Sequence, residues 1–184
     1  MTGDCYPRRV ADSGFTVLRT PRLLLRRFQP GDLDAFVAYR ADPEVAHYQG
    51  WEAGYSRAQG EAFIEWVSSV DPDTPGQWYQ FAIERREAPG LIGDCAARFD
   101  DDAVEVGFTL APAHQGQGYA TEAVERLLGY AGSRGHREAV AWCDVENVAS
   151  QRLLGRLGFA LQETVDGEHR YARALTKPTG GLSA

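Results

Sequence analysis

The amino-acid sequence predicts an α/β fold: a mixed, mostly antiparallel central sheet flanked by helices, in the order β-α-α-β-β-β-α-β-α-β-β. Three observations carry this. The 184 residues show no break in composition and are 43% hydrophobic, which fits one domain with a core of ordinary size. Three strand-like runs, the last of them alternating, lie close together in mid-chain, as a meander does. After them, a strand runs through a glycine-rich loop into a helix with one apolar face.

Residues 1–14 and 176–184 lack periodicity and are rich in turn formers, so both are expected to be mobile tails around a domain at 15–175. Leu23 to Phe28 reads as the first strand. Pro30-Gly-Asp then opens a helix with Leu33, Phe36, Val37 and Ala41 on one face, and Pro43 is expected to stop it. Ser56-x-x-Gln59 is a capping box before a second helix, whose stripe is Phe63, Trp66, Val67 and Val70. The loop between them carries His47, Tyr48, Trp51 and Tyr55, spaced by Gly50 and Gly54. Such rings either cover core surface or form the wall of a pocket.

Trp78 to Arg85, Leu91 to Phe99 and Val104 to Leu110 are the meander, with turns at Ala88-Pro-Gly90 and Asp100-Asp-Asp102. Ala120, Ala123, Val124, Leu127, Leu128 and Ala131 repeat at helical spacing after the glycine loop. A strand over 139–145 and a helix with Ala149, Leu153 and Leu157 on one face follow. Two last strands, Phe159 to Val165 and His169 to Leu175, meet at Asp166-Gly167, a hairpin signal.

The loop Gln115-Gly116-Gln117-Gly118-Tyr119-Ala120-Thr121 describes a phosphate cradle. Its glycines let the backbone turn sharply and approach a ligand, and the unpaired N–H groups and positive dipole of the helix start favour an anion. A dinucleotide fingerprint fits poorly, because the third small position falls at Thr121 and the loop comes late in the chain; no Gly-Lys-Ser/Thr of a P-loop follows. The cradle therefore points to a ligand carrying a pyrophosphate.

A second motif, Asn147-Val-Ala-Ser150 with a helix ending at Gly158-Phe159, lies beyond the strand at 139–143. Together the two motifs resemble the GNAT superfamily of acyl-CoA-dependent N-acetyltransferases. Gln115, Gly118 and Ala120 meet its Gln/Arg-x-x-Gly-x-Gly/Ala signature. The continuation Tyr119-Ala-Thr-Glu-Ala123 is similar to the branch that acetylates N-termini of ribosomal proteins. The chain departs from the family at Gly155-Arg156, where Glu-Lys is usual.

The resemblance implies a GNAT-like sheet, acetyl-CoA as co-substrate and an amine acceptor: a protein N-terminus or a small cationic amine, attacked directly; the scattered histidines imply no metal. It also implies main-chain contacts from Phe108, Thr109 and Leu110 to the pantetheine arm, an Arg152 contact to a CoA phosphate, and a homodimer by family habit. Asn147 either caps its helix or hydrogen-bonds the pantetheine, and Ser150 either protonates the departing thiolate or is solvated. Glu105 shares a strand face with Gly107 and Thr109; it is either the base that takes the amine proton or a structural carboxylate paired with Arg98. Tyr48, Trp51 and Tyr55 are the candidate acceptor wall. The alternative is a CoA-binding sensor or interaction module with this fold and no turnover.

Composition narrows the partners. A net charge of −7 argues against nucleic-acid and anionic-membrane surfaces, and with Glu52 and the 100–102 turn it suits a cationic acceptor. Cys5, Cys95 and Cys143 form no even framework, which implies a reducing cytoplasm. The four histidines have no metal-ligand spacing, and no apolar run has the length of a membrane span.

Overall fold

The structure, a computed structural model, describes residues 17–72 and 74–176; the two tails up to 16 and from 177, with Cys5, lie outside the described residues. The strands are β1 (Val17–Arg19), β2 (Leu23–Arg26), β3 (Trp78–Arg85), β4 (Leu91–Phe99), β5 (Ala103–Leu110), β6 (Glu138–Asp144), β7 (Ala160–Val165) and β8 (Glu168–Ala174). The helices are α1 (Leu33–Arg40), α2 (Pro43–Ala46), α3 (Arg57–Ser69), α4 (Tyr119–Ser133) and α5 (Val148–Arg156). All eight strands form one sheet in the order β1-β2-β3-β4-β5-β6-β8-β7. Each neighbouring pair is antiparallel except β5 with β6, which the α4 crossover makes parallel.

Two elements exceed the sequence expectation. β1 has three residues, too few for a period to show, and is held by pairing with β2. Pro43 does not simply stop α1; it opens α2, because Pro is favoured in a first turn where no N–H is needed, and the Asp42 side chain accepts from Glu44 N–H at 2.9 Å. The predicted capping box of α3 is present, with Ser56 Oγ facing Gln59 N–H and Gln59 Oε1 accepting from Ser56 N–H at 2.8 Å. At the β7–β8 hairpin both Asp166 and Gly167 have positive φ, 51° and 85°, as a type I′ turn requires.

α4 buries Ala123, Val124, Leu127, Leu128 and Ala131 against β1, β2, β4 and β5, while α1 packs on β4 and on α3. With helices over both faces, β4 is buried through residues Leu91 to Cys95. One of these is Asp94, 2% exposed. Burial pushes its carboxyl upward, opposed by the Arg40 guanidinium (3.7 Å) and the Tyr39 hydroxyl, which donates at 2.5 Å. Arg40 is itself enclosed by rings, with its guanidinium carbon 3.9 Å from the Trp51 centroid, 4.6 Å from Phe36 and 5.6 Å from Tyr55. Trp51 Nε1 also donates to the Arg40 carbonyl at 3.1 Å. These contacts anchor α1 and the loop after α2 to the centre of the sheet.

Opposite Leu110 in the β4–β5 ladder stands Gly93, at φ +157°. A Cβ there would run into the Thr109 carbonyl oxygen and lie 2.9 Å from Leu110 Cα, both backbone atoms that cannot swing aside. Gly93→Ala should therefore cost about 1–3 kcal/mol, the usual scale of overpacking, and lower Tm by several degrees in thermal unfolding followed by circular dichroism.

Candidate active site

β5 and β6 share only three paired positions, Ala103 with Glu138, Val104 with Ala139 and Glu105 with Val140. Beyond Glu105, β5 stays on β4 as far as Leu110, whereas β6 stays on β8 as far as Asp144. The sheet therefore splays, leaving the β6-facing edge of residues 106–110 without a ladder partner on that side. Strict alternation along β5 ends at the same place: Val104 and Val106 are buried, but then Phe108 is half-buried and Thr109 is buried. A cleft of about 750 Å³ opens at the splay, and Phe108, Thr109 and Leu110 lie along its wall.

The glycine loop closes one side. Gly116 and Gly118 have φ of +73° and +79°, and a Cβ at Gly116 would project into open space within the cleft lining. The first backbone bond of α4 runs from Glu122 N–H to Gly118 O at 3.1 Å, so the N–H groups of Tyr119, Ala120 and Thr121 have no intrahelical partner. Gln115 lines the cleft but also donates through Nε2 to Leu110 O at 3.0 Å, tying the loop to the end of β5. Gln117 is not among the lining residues; its side chain donates to Ala113 O at 3.0 Å.

Arg22 and Glu122, whose pairing no local pattern in the sequence shows, hold this loop from behind. Arg22 Nε lies 2.6 Å from Glu122 Oε2, its Nη1 donates to Gln117 O at 3.0 Å, and its guanidinium covers the Tyr119 ring at 4.5 Å. Thr20 Oγ1 and Arg22 N–H both donate to Glu122 Oε1, at 2.5 and 2.9 Å. Burial acts to raise the Glu122 carboxyl, but these donors together outweigh it and hold the group below its ordinary value. The turn between β1 and β2 thus clamps the first turn of α4.

Opposite the loop, Asn147 and Ser150 line the cleft at the start of α5. Asn147 Oδ1 accepts from Ser150 N–H at 3.0 Å, so Asn147 is an N-cap whose amide NH₂ is left over as a donor. No hydrogen bond engages Ser150 Oγ among the described residues, so the hydroxyl is not back-bonded to its helix. Arg152 and, one turn on, Arg156 also line the cleft. From the other direction come Glu44, Val45, Tyr48 and Gln49 of α2 and the loop after it.

Other expected residues stand elsewhere. Glu105 is not among the lining residues; it sits in the last paired position before the splay and accepts from Arg98 Nη2 at 2.6 Å. Of the three rings assigned to the acceptor wall, Tyr48 lines the cleft, while Trp51 and Tyr55 pack over Arg40. The Asp100–Asp102 turn lies at the end of β5 away from Leu110, where Asp100 faces Arg98 at 3.7 Å and the Asp102 carbonyl accepts from Arg137 N–H at 2.7 Å. It is remote from the cleft. Glu44 went unnoticed because reading Pro43 as a stop hid the helix that presents it.

Residues 22–160 match the family model described as the acetyltransferase (GNAT) domain. The uncharacterized N-acetyltransferase p20 of Bacillus licheniformis is 32% identical over 146 residues, 77% of this chain and 81% of that protein. YoaA of Bacillus subtilis, likewise an uncharacterized N-acetyltransferase, is 31% identical over 149 residues, 79% and 83% of the two chains. Among solved structures, a GNAT-family acetyltransferase from Bacillus anthracis superposes with a TM-score of 0.76 at 21% identity, covering 86% of this chain and 98% of that one. The ribosomal L7/L12 α-N-protein acetyltransferase RimL, solved with coenzyme A, superposes with a TM-score of 0.71 at 20% identity, covering 86% and 98%. The chain belongs to the GNAT acetyltransferase family, and it is an acyltransferase.

The clamp on the loop has a consequence in acid. Because the folded state holds Glu122 below its ordinary value of 4.5, its contribution to stability is complete above that value and is lost as pH falls through the depressed one. Glu122→Gln should lower stability at pH 7 and reduce the loss seen between pH 5 and pH 3 in denaturant titrations. An acid limb identical to wild type would show that the clamp contributes nothing.

Proposed function

We propose that this chain transfers an acetyl group from acetyl-CoA directly to the nitrogen of a primary amine, and that the acceptor is cationic. The observation that supports this most is the splay itself, which puts an unpaired strand edge, an open glycine cradle and a free serine hydroxyl around one cleft. The residues present fit acetyl-CoA. The open space at Gly116, the N–H groups of Tyr119, Ala120 and Thr121, and the guanidinium groups of Arg152 and Arg156 suit its phosphates. RimL is solved with coenzyme A, and the immunity acetyltransferase MccE with acetyl-CoA, on this same fold.

Bound there, acetyl-CoA would supply a thioester carbonyl. The β6-facing main chain of Phe108 to Leu110 would receive the pantetheine arm as an added strand would, and an N–H of this edge would polarise the carbonyl as an oxyanion-hole donor. The Asn147 amide NH₂ would fix the arm from the opposite wall. Attack forms the C–N bond and breaks the C–S bond, and the Ser150 hydroxyl, one turn into α5, would give a proton or hydrogen bond to the thiolate. The acceptor nitrogen loses its proton to water in the cleft, since Glu105 is occupied by Arg98 and stands outside the lining.

Thiol release from acetyl-CoA across a panel of amines tests the reaction; binding of CoA with no release for any amine would leave a binding module instead. CoA at a hundredfold excess over its Kd should stabilise the protein by about 2.7 kcal/mol and raise Tm accordingly, and Gly118→Glu should abolish the rise. Ser150→Ala should lower kcat by about 10²-fold with little change in the Kd of CoA. An unaltered kcat would remove Ser150 from the chemistry.

A further inference from the structure

The cleft is charged unevenly. Its two guanidinium groups, Arg152 and Arg156, both come from α5, and Glu44 on α2 is the one carboxylate among the described residues that line it. Glu44 makes no hydrogen bond or ion pair through its side chain among the described residues, unlike Glu84, Glu105 and Glu122, which each face an arginine. Its backbone is nevertheless fixed, since the Asp42 side chain accepts its N–H and His47 N–H closes the helical turn on Pro43 O at 3.0 Å.

Tyr48 stands four residues on, in the turn that follows α2, and both residues line the cleft. The Tyr48 hydroxyl reaches across to Glu146 O at 3.5 Å, beside Asn147, so the ring spans from α2 toward the start of α5. His47 holds the ring from the side, edge to face at 4.4 Å. A carboxylate next to an aromatic ring, with neither neutralised by a protein cation, is a chemical match for an ammonium or guanidinium group.

From this juxtaposition we infer that Glu44 and Tyr48 form a cation subsite on the acceptor side of the cleft, and that the acceptor carries a second positive charge besides the amine that is acetylated. The inference rests on the acetyltransferase reading above. It divides the cleft by charge: the anionic phosphates go to the α4 and α5 side, and the cationic acceptor goes to α2. The reacting nitrogen must be uncharged at the moment of attack, so the charge held by Glu44 belongs to a different group of the acceptor. Glu44 is thus a specificity-determining residue, separate from the proton transfers at Ser150.

The test compares a diamine with the amino alcohol of equal chain length, and a short peptide having Lys at its second position with the same peptide having norleucine there. For wild type, KM for the dicationic member of each pair should be lower by about tenfold or more, the low end of what a charge-assisted contact provides. That advantage should shrink in 0.5 M salt. Glu44→Gln should bring the ratio close to one, Glu44→Asp should keep part of it, and Tyr48→Leu should give an intermediate ratio. A CoA-induced rise in Tm that persists in each variant shows that the fold and cofactor side are intact. A ratio unchanged in Glu44→Gln, or a wild type that prefers the neutral member, overturns the subsite while leaving the acetyltransferase reading in place. Absence of thiol release by wild type with every amine overturns both.

Discussion

The parallel contact between β5 and β6 ends after three residue pairs, and the site exists because it ends there. Each strand is committed to another neighbour: β5 to β4 through Gly93 and Leu110, β6 to β8 through Asp144 and Glu168. Right-handed twist separates two strands so committed once their own pairing stops. The result is a strand edge inside the fold that is available to a ligand, where an ordinary sheet would have covered it. Everything that lines the cleft reaches it from an element that starts or ends near the splay: the loop after β5, the helix after β6 and the short helix before α3.

Such an opening is useful only if its walls do not drift, and two ionic groups hold them, one at the surface and one buried. Arg22 and Glu122 join the β1–β2 turn to the first turn of α4 and so fix the glycine loop. Arg40 and Asp94 join α1 to the middle of β4, and the rings of Trp51 and Tyr55 close over the guanidinium. The second group sets where the chain emerges before α2, and hence where Glu44 and Tyr48 stand. The glycine loop and the α2 side of the cleft are thus held by charges, which a splayed sheet cannot supply by backbone pairing alone. Both lie outside the cleft lining and act through the residues they position.

What could be read from the sequence was what is local. The glycine loop before α4, the amphipathic stripe of that helix, the Ser56–Gln59 box, the Asp166–Gly167 turn and the Asn147 cap are each encoded within a few residues, and the structure forms each of them. The splay was not legible, because it depends on which partner β5 and β6 keep, and pairing between distant segments leaves no mark on either one. The Arg22–Glu122 clamp links residues 100 positions apart for the same reason. Glu105 and Glu44 mark the limit of local reading: pairing of Glu105 with Arg98, one of two alternatives its strand face leaves open, is decided across the β4–β5 ladder, while the carboxylate in the cleft follows a proline that reads equally well as an end or a beginning.

The most direct test of a ligand site at the splay is a titration of ¹⁵N-labelled protein with CoA, followed amide by amide. Shift changes should concentrate in Phe108–Leu110, Gly116–Thr121 and the first turn of α5, with β7 and β8 unaffected. Changes centred on the β7–β8 hairpin or on α3, with residues 108–110 and 116–121 silent, would contradict the assignment of the cleft as the site of acyl transfer.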